Sequence, residues 1–360
     1  MNERGRTVIV TTTDRGYLPA ACCQLKSSWD HLERKENTEL YLAVCDVSQE
    51  DIAESRRYFD MRGVNATVLE CDEVADRIKP IGNRWPRAAY LRLYFDSMFD
   101  ASVERLVYFD ADTRVCTSLE PLINADLRGA PIGAVHDFIY YVTGNIRRRR
   151  RDLFLADDAP YLQSGVMVFD WPKTLENGGF ERARQFLADH PDRCQEAPDQ
   201  DALNAAFEGQ WTPLDPRWNL HEFYLMFGGT LTPYIEHYTS TKPWSRLRPP
   251  AWRNAAEWYK RELADTKWND FIQPQSQIDI AKAHLAFMKF RYAGKVRDGL
   301  ASHAPIVLDL LGKPRQRPED QELPWAPKNR HDVETMTHAL IREASQQCPR
   351  LLPPESVLRS

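Results

Sequence analysis

Over its first third the chain alternates short β-branched, apolar runs with longer segments of helical character, and this alternation restricts the fold more than any other feature. Arg6-Thr-Val-Ile-Val-Thr-Thr-Thr13 suits a buried strand, residues 17–31 a helix, Glu39-Leu-Tyr-Leu-Ala-Val-Cys45 a second strand and Ala66–Cys71 a third. Between them Ser48 reads as an N-cap, with Asp51 in the first turn of the helix it opens. Pro86 fits the first position of a helix reaching Phe99, and Arg105-Leu-Val-Tyr-Phe109 follows as another strand. Strands at Pro131–Val135 and Ser164–Asp170, a helix after Trp171 and a short helix over Asp199–Glu208 extend the pattern. The prediction is an α/β fold: a mostly parallel sheet with helices on both faces.

With 360 residues, 42% of them hydrophobic, the chain can build one large domain with an appendage, or two domains. The texture changes after about Pro249. Trp252, Trp258, Tyr259 and Trp268 fall among charged residues there, and helical patterns take over. This divides the chain into residues 1–248 and a mainly helical C-terminal extension, 249–360. Within the extension, residues 313–330 are rich in proline and charge and read as a linker, with a last helix over 331–347. A net charge of −5 gives no general attraction to nucleic acid. The seven cysteines are scattered without a CxxC pair, Met1-Asn-Glu-Arg-Gly-Arg holds no apolar leader, and no apolar run is long enough to span a bilayer. The expected location is the cytoplasm, where thiols stay reduced.

The chemistry concentrates at Tyr108-Phe109-Asp110-Ala111-Asp112, which closes a strand. Ligands of open α/β sheets bind beyond the carboxyl ends of strands. Two carboxylates two residues apart can converge there on one hard cation, although the same pattern also serves as an acidic turn. Further segments follow in order: Tyr90-Leu91-Arg92, Gln163-Ser-Gly-Val-Met-Val-Phe169, Asp199-Gln-Asp-Ala-Leu-Asn204, Arg217-Trp-Asn219 and His237-Tyr-Thr-Ser-Thr-Lys-Pro-Trp244. Together, over about residues 6–244, they closely resemble glycosyltransferase family 8, which includes glycogenin and bacterial lipopolysaccharide glucosyl- and galactosyltransferases.

The resemblance implies the GT-A fold, a Rossmann-like mixed sheet. It also implies a UDP-sugar donor (UDP-glucose or UDP-galactose), Mn²⁺ or Mg²⁺, and transfer with retention of anomeric configuration. Asp110, Asp112 and His237 fall on the family's metal ligands, a donor set that suits manganese. Lys242 falls on a lysine contacting the donor diphosphate, where an ammonium stabilises leaving-group charge. Ala111 lies within the same donor-binding turn. Thr12, Asp14 and Tyr17 resemble the uridine pocket, with Tyr17 stacked on uracil, and Arg92 organises the donor side. Asp137, Gln163, Asp199, Gln200 and Asp201 are carried over to the sugar. Asp137, Gln200 and Asp201 are the catalytic candidates: Gln200 matches a residue near the anomeric carbon, and Asp201 is a nucleophile or an electrostatic stabiliser. Front-face substitution and double displacement both fit retention. Two departures stand out. Gln163 replaces the usual asparagine, and the interval from His237 to Lys242 is one residue short and lacks a glycine, so that Ser240 could supply a hydroxyl over the diphosphate.

On the acceptor side, a glycan or glycolipid, Trp252, Glu257-Trp-Tyr259 and Thr266-Lys-Trp268 look like the extension of lipopolysaccharide core enzymes. Ile278, Ala281, Leu285, Met288 and Tyr292 form an apolar stripe beside Lys282, Lys289, Arg291 and Lys295. Such a helix packs on the catalytic domain, or rests peripherally on the anionic inner face of the cytoplasmic membrane. The five arginines Arg147–Arg151 predict a flexible loop able to grip the phosphates of an acceptor. Two other readings compete. A nucleotidyltransferase would need a glycine-rich, lysine-bearing phosphate loop, which does not follow the first strand. A sugar-nucleotide sensor without activity is disfavoured by Asp110, Asp112, His237 and Lys242 occurring together.

Overall fold

A computed structural model of the chain describes residues 5–82, 84–137, 140, 146–221 and 232–286. The described residues form ten strands: β1 (Arg6–Thr13), β2 (Thr38–Val44), β3 (Ala66–Glu70), β4 (Val103–Asp110), β5 (Thr113–Val115), β6 (Ile132–His136), β7 (Leu162–Asp170), β8 (Trp211–Pro213), β9 (Leu220–His221) and β10 (Ile235–His237). Seven of them make the main sheet in the order β3-β2-β1-β4-β7-β6-β8. β1 pairs in parallel with β2 and β4, as β2 does with β3, whereas β7 runs antiparallel to both neighbours. β6 and β8 pair in parallel at the far edge, so the sheet is mostly parallel and mixed, with β7 its antiparallel strand.

The period of two along β1 sends Ile9 to one face and Val8 and Val10 to the other. On the first face, α1 (Leu18–Asp30) and α2 (Gln49–Arg62) cover Ile9, Leu40, Leu42 and Val107. α2 opens as the sequence predicts: the Ser48 hydroxyl accepts from the Asp51 N–H at 3.1 Å. On the second face, Val8, Val10, Tyr108 and Met167 pack with Leu91, Phe95 and Phe180. The expected helix over 86–99 is broken. Arg87–Tyr90 and Phe95–Met98 are α-helical, and Leu91–Tyr94 between them tightens to a 3-10 turn, which holds Arg92 inward.

Among the further helices, one over Trp171–Asn177 follows β7 as the sequence predicts, and α3 (Ile146–Asp152), α4 (Gly179–Asp189) and α5 (Pro198–Ala206) shape the catalytic half. The arginine run is thus helical, contrary to the flexible loop that its composition predicts. Ile146, Arg149 and Leu153, spaced three and four apart, form a buried face that anchors it. Past residue 248, α6 (Arg253–Leu263) lies against the α1 side. Trp252, Tyr259, Leu263 and Trp268 belong to the same core cluster as Ile9 and Val107. The predicted linker over 313–330, the helix over 331–347 and the stripe beyond residue 286 lie outside the described residues. No helix among the described residues is long and apolar enough to cross a membrane.

Candidate active site

β4 ends at Asp110, and the chain turns at once into β5, the Thr113 hydroxyl closing the turn on the Asp110 carbonyl at 2.8 Å. β10 pairs antiparallel with β5 in a register that sets His237 opposite Thr113. This pairing brings the imidazole to the two carboxylates. His237 Nε2 lies 3.6 Å from Asp110 Oδ2 and 3.4 Å from Asp112 Oδ1, and one ligand atom from each residue falls within 4.8 Å of the others. His237 Nδ1 hydrogen-bonds Asn219 Oδ1 at 2.7 Å. A carboxamide oxygen only accepts, so Nδ1 carries a proton and Nε2 is the nitrogen that faces the carboxylates.

Each carboxylate is held from behind. Asp110 Oδ1 accepts from Arg92 Nη2 at 2.7 Å and from the Tyr108 hydroxyl at 2.6 Å. Arg92 is buried, donates to the Ser164 carbonyl and hydroxyl, and pairs with Asp199 Oδ2 at 3.1 Å. Asp112 pairs with the Lys242 ammonium, which also donates to the Tyr238 and Thr239 carbonyls at 2.5 and 3.1 Å. Burial pushes the Asp112 carboxyl up, but the Lys242 ammonium and the neighbouring His237 more than reverse this and leave it below the usual carboxylate range. Burial likewise raises Asp199, against the pull of Arg92.

These groups share one cleft of about 790 Å³. Its lining includes every residue picked from the sequence (Thr12, Asp14, Tyr17, Arg92, Asp110, Ala111, Asp112, Asp137, Gln163, Asp199, Gln200, His237 and Lys242) except Asp201. Tyr17 is 36% exposed, its ring edge-on to Trp244 at 5.8 Å and 5.6 Å from the Lys242 ammonium. One Asp14 oxygen caps the turn before α1 through the Gly16 N–H at 2.8 Å. Thr12 shares a hydrogen bond with Tyr108, and Gln163 Oε1 accepts from the Gly165 N–H and from Asn219. At the far end, Gln200 Oε1 accepts from the Ser164 N–H at 2.9 Å while Nε2 donates to Asp137 Oδ2 at 2.8 Å. Asp201 is fully buried, enclosed by Arg149 and by the Tyr161 hydroxyl at 2.6 Å. It therefore has no direct access to the cleft.

Residues 8–248 match the family described as Glycosyl transferase family 8. The chain belongs to glycosyltransferase family 8. Among the relatives of this family-8 glycosyltransferase is general stress protein A of Bacillus subtilis (strain 168), 24% identical over 74% of this chain and 96% of that protein. The lipopolysaccharide 1,2-glucosyltransferase of Escherichia coli (strain K12) is 27% identical over 58% of this chain and 61% of that one. In fold, the family-8 enzyme is similar to the galactosyltransferase LgtC, solved with donor and acceptor sugar analogues, with a TM-score of 0.62 and 19% identity over 74% of this chain and 99% of that one. The architecture is the GT-A-like mixed sheet.

Sequence reasoning missed several residues around this glycosyltransferase site. Asn219, quoted only as part of a motif, orients His237. Gly165 lies under the cluster, where a Cβ would overlap the His237 ring and come within 2.7 Å of Asp110 Oδ2; its place two residues after Gln163 in a strand was the available signal. Arg84, Trp85, Tyr140 and Glu196 form a further wall of the cleft, with the Trp85 indole donating to the Glu196 carbonyl and the Tyr140 hydroxyl to its carboxylate. No local pattern marks these four.

Proposed function

We propose that the enzyme is a retaining hexosyltransferase that moves glucose or galactose from UDP-glucose or UDP-galactose, with Mn²⁺ or Mg²⁺, to a glycan or lipid-linked glycan. Lipopolysaccharide core is the acceptor class suggested by the relative from Escherichia coli. The observation that carries this reading is the convergence of Asp110, Asp112 and His237 in a cleft also lined by Asp137, Asp199 and Gln200. Two carboxylates and an imidazole whose Nε2 faces them fit a divalent cation with open positions for diphosphate oxygens. Once bound, the cation would neutralise diphosphate charge.

The chain's own residues supply the rest. Tyr17, at the nucleotide end, offers a partly exposed ring for a base. Lys242 is held by Asp112 and two carbonyls, all of which compete with a phosphate for its three protons. Arg92 bridges Asp110 and Asp199 and fixes both carboxylates in place. The enclosure of Asp201 by Arg149 and Tyr161 supports front-face substitution. In that route the acceptor oxygen bonds the anomeric carbon as the bond to the diphosphate breaks, and the hydroxyl proton passes to a phosphate oxygen. Exposed Ile278 and Leu285, 67% and 71% accessible beside Lys282, support a peripheral contact with an anionic leaflet at the inner face of the cytoplasmic membrane.

A panel of UDP-sugars tests the proposal. UDP release should depend on Mn²⁺ and favour one hexose, and the anomeric proton coupling of the product in NMR should match that of the donor. Release without added or bound metal, or an inverted product, would contradict it.

A further inference from the structure

The five arginines of the 147–151 run do different work, because α3 turns them around a full circumference. Arg148 pairs with Glu196, and Arg150 donates to the Ala159 and Asp157 carbonyls. Arg149 faces inward and is only 2% exposed. A guanidinium buried to that degree needs an opposite charge, which Asp201, fully buried on α5, provides. Asp152 lies 3.9 Å from Arg149 and the Tyr140 ring 5.7 Å.

The contact continues into the cleft. Asp201 Oδ1 accepts from the Tyr161 hydroxyl at 2.6 Å, and Oδ2 also takes the Ala197 N–H at 3.4 Å. The Tyr161 oxygen in turn accepts from Gln200 Nε2 at 3.3 Å. An ionised carboxylate can only accept. Asp201 thereby fixes the tyrosine proton toward itself and leaves the tyrosine lone pair toward Gln200, so the Gln200 amide nitrogen points to Tyr161 and Asp137 and its oxygen to the Ser164 N–H. A protonated Asp201 could donate to Tyr161 instead. The hydroxyl proton would then be free to turn toward Gln200, where it would favour the amide oxygen. Burial pushes the Asp201 carboxyl up, and Arg149 is the charge that opposes this.

We propose that Arg149 is a positioning residue for the transfer step: acting through Asp201 and Tyr161, it fixes which way the Gln200 carboxamide faces at the sugar end of the cleft. The proposal rests on the sugar-transfer reading above.

The test compares the full-length wild type with R149M, R149K, Y161F and the double variant R149M/D201N. The readouts are kcat and KM for hydrolysis of the preferred UDP-sugar, UDP affinity in Mn²⁺ by calorimetry, and Tm. R149M and Y161F should lower kcat about tenfold or more, as a misdirected group near a reacting centre does, with KM and UDP affinity within about threefold. R149K should recover part of the loss. The double variant removes the uncompensated buried charge, so its Tm should return toward wild type. Its kcat should stay low, because an asparagine can donate to Tyr161 where a carboxylate cannot. If R149M does not fold, Y161F and the double variant decide the matter. Normal kcat in R149M or Y161F, or in the double variant as its Tm recovers, overturns the proposal and leaves Arg149 as a structural tie. A wild type that hydrolyses no UDP-sugar defeats the transfer reading itself, and this proposal with it, before any variant is compared.

Discussion

Asp110 divides its two oxygens between structure and chemistry. Oδ1 is taken by Arg92 and Tyr108, while Oδ2 faces His237. Asp112 has a simpler position, between His237 and Lys242. Either Asp110→Asn or Asp112→Asn removes a charged ligand and should weaken Mn²⁺ binding at least about a hundredfold, since even the outer partners of metal ligands are worth about 10–100-fold. Asn219→Ala, which frees the His237 ring, should fall within that outer-partner range. Both aspartate substitutions should also lower stability, Asp110→Asn by about 1.5–3 kcal/mol, because each weakens charge-assisted hydrogen bonds from buried or partly buried donors. Mn²⁺ titration followed by electron paramagnetic resonance, with urea unfolding of the same proteins, separates the two effects. Undiminished metal binding in Asp112→Asn would remove the basis for the metal site.

Among the elements, the long strands and the capped helix α2 were readable because their signals are local: β-branched runs, a Ser48 N-cap, a carboxylate pair at a strand end. The small sheet of β5, β10 and β9 was not, because its strands have two or three residues and its partners lie far apart in sequence. His237 was therefore assignable only by resemblance, and the physical reason for its place is a pairing register. The arginine run was misread for a related reason. Consecutive charges suggest a solvated segment, and the informative residues were Ile146 and Leu153 on either side, which give α3 an inward face. Gly165 belongs at this scale too. It is a strand residue whose missing side chain makes room for Asp110 and His237 from two other elements. Gly165→Ala would press on His237, Asp110 and Gln163 together, none of which is the loose end of an exposed chain. It should leave β7 paired, yet weaken Mn²⁺ binding by about tenfold or more, because small displacements of ligands and their supports are costly. Calorimetric titration gives the answer, and wild-type affinity would mean that the cluster tolerates the shift.

At the scale of the whole molecule, the family match ends at residue 248 but the hydrophobic core does not. Trp252, Tyr259 and Leu263 are at most 2% exposed, and they pack with residues of β1, α1 and α2. The contact also reaches the site: Tyr259 meets Trp244 at 5.2 Å, and Trp244 meets Tyr17 at 5.8 Å. The extension thus supports the Tyr17 end of the cleft from behind. Full burial of each of these three side chains is worth about 1.5–3 kcal/mol, so together they approach the net stability of about 5–15 kcal/mol typical of a domain. A chain ending at residue 248 should then be largely unfolded or aggregated at 25 °C, even though it contains Asp110, Asp112 and His237. The single substitution Leu263→Ala in the full chain should cost about 2–5 kcal/mol, as buried leucines do, while leaving Mn²⁺ affinity near wild type, because Leu263 lies behind the site and not in it. Circular dichroism melts of both proteins beside the wild type provide the check. A 1–248 chain that melts cooperatively within a few degrees of the full-length protein would show that the catalytic half completes its core alone.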